Sequence, residues 1–154
     1  METELLGPIL LEDRKEALFR VLWGGEVDAI EPSACVAISK GSFVLKTAVR
    51  QLAEYLAGRR KTFDVPLLPD GTPFQQQVWH ALQEIPYGMT LSYGQVAKRI
   101  GNEKAVRAVG GACGRNAIPI FIPCHRVIGA SGKLTGFACG LDVKERLLAL
   151  ENVR

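Results

Sequence analysis

Residues 92–112 read SYGQVAKRIGNEKAVRAVGGA, and the stretch predicts two short helices joined by a glycine-containing turn. Ser92 and Gln95 form a capping box. In this arrangement the hydroxyl accepts from the first turn and the amide side chain accepts from the Ser92 backbone N–H. The helix so opened buries Val96 and Ala97 and stops at Gly101. Asn102 is expected to cap the next helix, Glu103 to Ala112, with Val106 and Val109 inward. Two such helices fit a helix-turn-helix. The second is small-sided, with Ala105, Ala108, Gly110, Gly111 and Ala112, and it carries Lys104 and Arg107. Small side chains let a backbone come close to another surface, either a neighbouring helix or a nucleic-acid groove.

Working outward, Thr72-Pro73-Phe74-Gln75 is a second capping box with proline at the first helical position. It opens a helix with Phe74, Val78, Ala81, Leu82 and Ile85 inward, ended by Pro86-Tyr87-Gly88. Toward the C-terminus, Asp142-Val143-Lys144-Glu145 starts a last helix with Leu147, Leu148 and Leu150 apolar. Toward the N-terminus the pattern changes. Residues 5–38 alternate loosely through LGPILLE, ALFRVLWGG and VDAIEP, which predicts two or three short antiparallel strands, with Gly24-Gly25 as a hairpin turn. Ser42 is expected to cap a helix running to Ala57, with Leu45, Ala48, Val49, Leu52 and Leu56 on one face and Gly58 as its stop. Arg59-Arg60-Lys61 and PLLPDGTP then form a loop. The expected class is α+β: residues 1–71 form a small antiparallel sheet with a helix, and residues 72–154 a mostly helical domain with a (winged) helix-turn-helix.

A hydrophobic content of 47% against 23% charged residues supports a folded core rather than a disordered chain. No apolar run approaches the roughly 20 residues that span a bilayer, so no membrane association is expected. The N-terminus turns acidic at once and lacks a charged signal region; a cytoplasmic setting is expected, nuclear in a eukaryote. Charge is unevenly spread. Residues 1–72 carry 9 Lys/Arg against 11 Asp/Glu, and residues 73–154 carry 10 against 5. The second half is the better surface for a polyanion. The cysteines are Cys35, Cys113, Cys124 and Cys139, without a CxxC pair. In a reducing compartment they stay thiols. The spacing of Cys113, Cys124, His125 and Cys139 fits no common zinc site, so no metal is expected.

Residues 118–127, IPIFIPCHRV, carry the chemistry. Pro119 and Pro123 cut an apolar run that cannot then serve as a central strand. The expected result is a stiff, buried rail that fixes Cys124. A thiolate is the reactive form of cysteine. A nearby base can take the thiol proton, and a third group usually orients that base. His125 is the candidate base. Side chains adjacent on an extended segment point apart, so a bridging water suits the pair better than a direct bond. Glu151, four residues after Leu147 on the inward face of the last helix, is the candidate orienter. An inert buried cysteine beside a surface histidine is the plain alternative at this point. Tyr93, in the first turn of its helix, can donate from its phenol. Asn116, before the rail, can tie a turn.

Taken together, PCHRV at 123–127 preceded by Asn116 and IPIFI, FQQQVWHALQEIPYGMTLSYGQVA at 74–97, and AVRAVGGACGRN at 105–116 resemble the O6-alkylguanine-DNA alkyltransferase family. The likeness is strong over residues 72–151 and weaker over the strand-rich lobe, which the resemblance makes ribonuclease-H-like. It implies direct repair of double-stranded DNA containing O6-alkylguanine. Cys124 takes the alkyl group in one irreversible step, so the protein is consumed, without any cofactor and as a monomer. O4-alkylthymine is left open as a second substrate. His125 deprotonates Cys124 through a water, Glu151 polarises His125, Tyr93 helps protonate the leaving guanine, and Asn116 holds the hinge between recognition helix and active-site segment. The resemblance places Val127, with its backbone carbonyl, and Cys113, Phe137 and Ala138 around the substrate. It places Ser92, Lys104, Ala105, Arg107, Ala108, Gly110 and Arg115 on DNA, with Arg107 filling the space left by a flipped nucleotide and the helix in the minor groove. The chain departs from the family pattern at Ala117, where proline is usual, at Phe137, where tyrosine is frequent, and at Cys139, where glycine is frequent.

Two other readings compete. A helix-turn-helix protein that binds lesions without chemistry would leave the thiol unmodified. A cysteine hydrolase would need an oxyanion site, and the phosphatase spacing fails because Ala130 stands where the arginine belongs.

Overall fold

The computed structural model describes residues 1–30, 40–132 and 140–153. Two compact units divide it, Met1–Pro69 and Asp70–Arg154.

The first unit is built on a three-stranded antiparallel sheet of β1 (Glu2–Thr3), β2 (Gly7–Arg14) and β3 (Ala17–Trp23), in that order. The expected hairpin at Gly24-Gly25 is not where the chain turns. Lys15 and Glu16 turn it, both at positive φ (51° and 59°), with Arg14 paired to Ala17 across them. That is the mirror-image turn that matches strand twist, here made without glycine. Gly24, at φ 63°, instead ends β3 and leads into the one-turn α1 (Gly25–Asp28). The register slips between Glu12 and Asp13, so that Phe19 stands unpaired between Arg20 and Leu18. This bulge flips the pleat: Leu18 faces the core on one side of it and Val21 and Trp23 on the other. Leu18 also gives and receives backbone hydrogen bonds with Pro66 and Leu68 (2.8 and 2.9 Å).

The helix α2 (Phe43–Leu56) begins as expected, with the Ser42 hydroxyl accepting from Leu45 N at 3.1 Å. Its buried face is rotated from the expected one. Val44, Ala48, Gln51, Leu52 and Tyr55 are inside, while Leu45, Val49 and Leu56 are only partly covered. Gln51 explains the rotation. Its side chain bonds both the carboxylate and the backbone N–H of Asp64, so a polar residue is satisfied on the buried face, where the apolar pattern gave it no place.

The second unit is mostly helical: α3 (Pro73–Gln83), α4 (Tyr93–Arg99), α5 (Val106–Gly114) and α6 (Leu141–Leu150). Both predicted capping boxes form, at Thr72/Gln75 and Ser92/Gln95. Val78, Leu82, Ile85, Val96 and Ala97 are buried as expected, whereas Phe74 is half-buried. Trp79, which the inward-face reading passed over, is buried and donates its indole N–H to Ala112 O at 2.8 Å, locking α3 to α5. A Cβ on Gly71 would collide with the Trp79 ring, so that turn requires glycine.

The recognition helix starts later than expected. Asn102 to Ala105 make a turn, with Ala105 N bonded to Asn102 O at 3.0 Å, and no side chain caps α5. Starting at Val106 moves that residue off the inner face, and it is 41% exposed, while Val109 is fully buried. A two-residue parallel pairing of β4 (Leu91–Ser92) with β5 (Val127–Ile128) ties the start of α4 to the end of the PCHRV segment. Among the described residues no helix is long and apolar enough to cross a membrane.

Candidate active site

The rail leading to Cys124 is buried from Ile118 to Val127. It is a chain of tight turns rather than an extended strand. Ile120 sits at φ 74°, an expensive conformation for a β-branched residue, on the order of 1–3 kcal/mol. Ile122 N bonds back to Ile118 O at 2.9 Å. Pro123, at φ −80° and ψ 64°, centres an inverse γ-turn closed by Cys124 N to Ile122 O at 2.8 Å. Cys124–Arg126 then form a single 3₁₀ turn. The expected extended geometry at Cys124 and His125 is thus replaced by a turn.

Asn116 fastens this segment at both ends. Its Oδ1 accepts from Ile118 N at 2.9 Å, and its Nδ2 donates to Ile122 O at 2.8 Å and to Cys124 Sγ at 3.1 Å. With Ala117 in the usual proline position, this side chain does the tying.

Behind the thiol lies a buried polar cluster. His125 Nε2 meets Glu151 Oε1 at 2.8 Å, with both side chains fully buried. Glu151 caps the C-terminal end of α6. Its carboxylate also accepts from Arg126 Nε (2.9 and 3.2 Å), Arg126 Nη2 (2.8 Å) and Gly88 N (3.3 Å). Arg126 Nη1 reaches Ile85 O at 2.7 Å. An acceptor-only carboxylate at Nε2 places the histidine proton there, and Nδ1 is then the basic nitrogen of the neutral ring.

Lys144, 0% exposed, donates to Val127 O at 2.5 Å and lies 5.9 Å from the centre of the Tyr93 ring. This is the carbonyl that the resemblance places beside the substrate; a carbonyl oxygen keeps a second lone pair beyond the Lys144 bond. Burial lowers the Lys144 pKa, and the nearby Cys124 and Cys113 thiols pull it up. Burial pushes the Cys124 thiol up to about 11, against which the Asn116 hydrogen bond and the Lys144 charge act. Burial and the neighbouring Cys124 push Cys113 up to about 12. The resting thiol is therefore protonated, and a nucleophile arises only if a base removes that proton. His125 is held below the ordinary imidazole pKa by burial, opposed by Glu151 and reinforced by Arg126 and Lys144.

The structure brings Cys124, His125, Glu151, Asn116, Val127 and Cys113 into this cluster, with Tyr93 half-buried beside Lys144. Phe137, Ala138 and Cys139 lie outside the described residues. Lys104, Arg107, Ala108 and Arg115 are exposed, and Ser92, Ala105 and Gly110 half-covered. Ser92 is engaged in the α4 cap, and a Cβ on Gly110 would rest on the Tyr93 ring at 3.9 Å. Two cluster members escaped the sequence reading, Arg126 and Lys144. The signal for Lys144 was present: Val143, Lys144, Leu147, Leu148 and Glu151 fall on one helical face, and all are buried.

Residues 73–153 match the family described as 6-O-methylguanine DNA methyltransferase, DNA binding domain, and residues 1–69 match the 6-O-methylguanine DNA methyltransferase, ribonuclease-like domain. The chain belongs to the 6-O-methylguanine DNA methyltransferase family. A methylated-DNA–protein-cysteine methyltransferase of Methanosarcina acetivorans is 54% identical over 147 residues, 95% of this chain and 92% of its own length. The constitutive methylated-DNA–protein-cysteine methyltransferase of Bacillus subtilis is 54% identical over 110 residues, 71% of this chain and 67% of its own. Among solved structures, Mycobacterium tuberculosis OGT in complex with DNA superposes with a TM-score of 0.81 at 42% identity, covering 98% of this chain and 89% of that one. The α+β class read from the helix and strand signals is present, and the family is the one that the motifs resemble.

Proposed function

We propose that this protein repairs DNA by moving an alkyl group from O6 of guanine onto Cys124, once per molecule. Membership of the methyltransferase family, with a buried thiol where that chemistry needs one, carries the reading. An O6-alkyl group inside a duplex is unreachable, so the nucleotide is flipped out at a cost of a few kcal/mol. Arg107, exposed on the small-sided α5, fills the space it leaves, and Lys104 and Arg115 meet phosphates. His125 takes the Cys124 proton through a water. The thiolate attacks the alkyl carbon, a C–S bond forms as the C–O bond breaks, and Tyr93 hydrogen-bonds the departing guanine and helps protonate it. The product is a stable thioether, so the protein is spent. The Cys124 and Val127 carbonyls accept from the guanine amine. The protein acts as a monomer, on duplex DNA containing O6-alkylguanine.

Intact-protein mass spectrometry after mixing with O6-methylguanine DNA tests this. One added methyl group on the peptide containing Cys124 is expected, and Cys124→Ser should bind the same DNA without gaining mass. Tight binding with the lesion and the thiol both intact would favour the lesion-binding alternative instead.

A further inference from the structure

Arg126 has no part in the transfer scheme above, yet the fold holds it at several points. Nε and Nη2 grip both oxygens of Glu151 at 2.8–3.2 Å, and Nη1 is anchored on Ile85 O at 2.7 Å. Its side chain is 7% exposed and that of Glu151 0%. The same carboxylate holds His125 Nε2.

A buried carboxylate against an imidazole draws a proton onto the ring. An imidazolium cannot accept the proton of a thiol, so an unopposed Glu151 would fix the position of His125 and spoil it as a base. The guanidinium alters this balance. Arg126 already neutralises Glu151, and a proton arriving on His125 from solvent would add an uncompensated charge next to Arg126 and Lys144. A proton arriving from Cys124 adds none, because the thiolate is left behind. The charged and titratable groups around the cluster come from every packed element. Cys124 and Arg126 share the histidine's own turn. Lys144 and Glu151 come from α6, Tyr87 from the loop after α3, Tyr93 from α4 and Cys113 from α5. Tyr87 packs its ring 5.8 Å from the Arg126 guanidinium and bonds Leu150 O at 3.2 Å, holding the C-terminal end of α6 against the arginine.

We propose that Arg126 is a positioning residue for the transfer: it clamps the Glu151 carboxylate so that Glu151 orients His125 without handing it a permanent proton. The proposal rests on the reading that His125 serves Cys124.

Nitrogen-15 NMR of the intact protein tests it. The chain has 2 histidines, and His80, with its side chain 80% exposed, serves as the internal reference. In wild-type protein His125 is expected neutral, with its proton on Nε2, across the neutral range. In Arg126→Gln its protonation midpoint should rise by about one unit or more. The acid limb of methyl transfer should rise with it, so that the rate loss is large at neutral pH and shrinks in alkaline buffer. Arg126→Lys restores one charge and should bring the midpoint back toward wild type. Removing half of a buried ion pair can prevent folding, so the wild-type titration stands by itself: a His125 imidazolium at neutral pH overturns the proposal. An unmoved midpoint in Arg126→Gln, with a rate loss equal at all pH, also overturns it and leaves Arg126 a structural residue. The NMR titration needs no alkyl transfer, so failure of the transfer reaction is seen separately in the mass-spectrometric assay.

Discussion

Lys104 in the turn before α5, Arg107 in its first turn and Arg115 at its C-terminal end stand exposed. Around Cys124, in the same unit, His125, Arg126, Lys144 and Glu151 are all buried. The first arrangement suits a partner made of phosphates, because exposed cations lose little hydration until they meet one. The second is costly to assemble and holds only because each charge is answered: Glu151 by Arg126 and His125, and Arg126 also by the Ile85 carbonyl. On the proposed function, the first region meets DNA and the second carries the transfer.

The largest test of this contrast is Glu151→Ala. It leaves the Arg126 charge buried and uncompensated, and should destabilise the fold by about 3–5 kcal/mol in chemical denaturation. A loss below 1 kcal/mol would mean that water reaches the cluster. Arg107→Ala comes next. It should leave stability unchanged and slow transfer from duplex DNA by about tenfold, or ~1.4 kcal/mol, while sparing reaction with the free alkylated base. Equal losses on both substrates would remove Arg107 from base flipping. Ser92→Ala should cost about 1 kcal/mol of stability, because its hydroxyl caps α4. If thermal melting is unmoved and DNA affinity drops, Ser92 belongs to the recognition surface instead.

A separate test concerns alkali. Cys113 and Cys124 have folded pKa values raised to about 12 and about 11, against about 8.5 in an unfolded chain. Their contribution to stability is complete below the unfolded value. It is lost as pH climbs toward the folded values, since only the unfolded chain releases those protons in that window. Denaturation at neutral pH and near pH 10 should show a smaller alkaline loss in Cys113→Ala than in wild type. An identical loss in both proteins would exclude the Cys113 thiol as its source.

Much of the second unit was legible because its signals are local. Thr72/Gln75 and Ser92/Gln95 announce helix starts through bonds three residues long, and both form. Asn102 gave a false start for α5, because a good capping residue can equally close the turn before a helix. In the first unit, Gly24-Gly25 looked like the hairpin, but Lys15 and Glu16 took the left-handed conformations. The cross-strand pairing of β2 and β3 decided that, and it is not written in the two turn residues. Gln51 shows the same limit: its partner Asp64 lies thirteen residues away.

By itself the sequence determined the α+β class, the two capping boxes and the placing of Cys124, His125 and Glu151 in one site, the last through the family likeness. Those follow from short-range hydrogen bonding, apolar periodicity and a distinctive run of residues. Only the tertiary structure decided that Cys124 lies in a tight turn, that Asn116 bonds its sulfur, and that Arg126 and Lys144 are buried beside it. A charged residue in a sequence looks like surface, since exposure is its cheapest state. Which charges are taken inside depends on what other segments bring to meet them, and that is settled only when α6 and the loop after α3 close around the thiol.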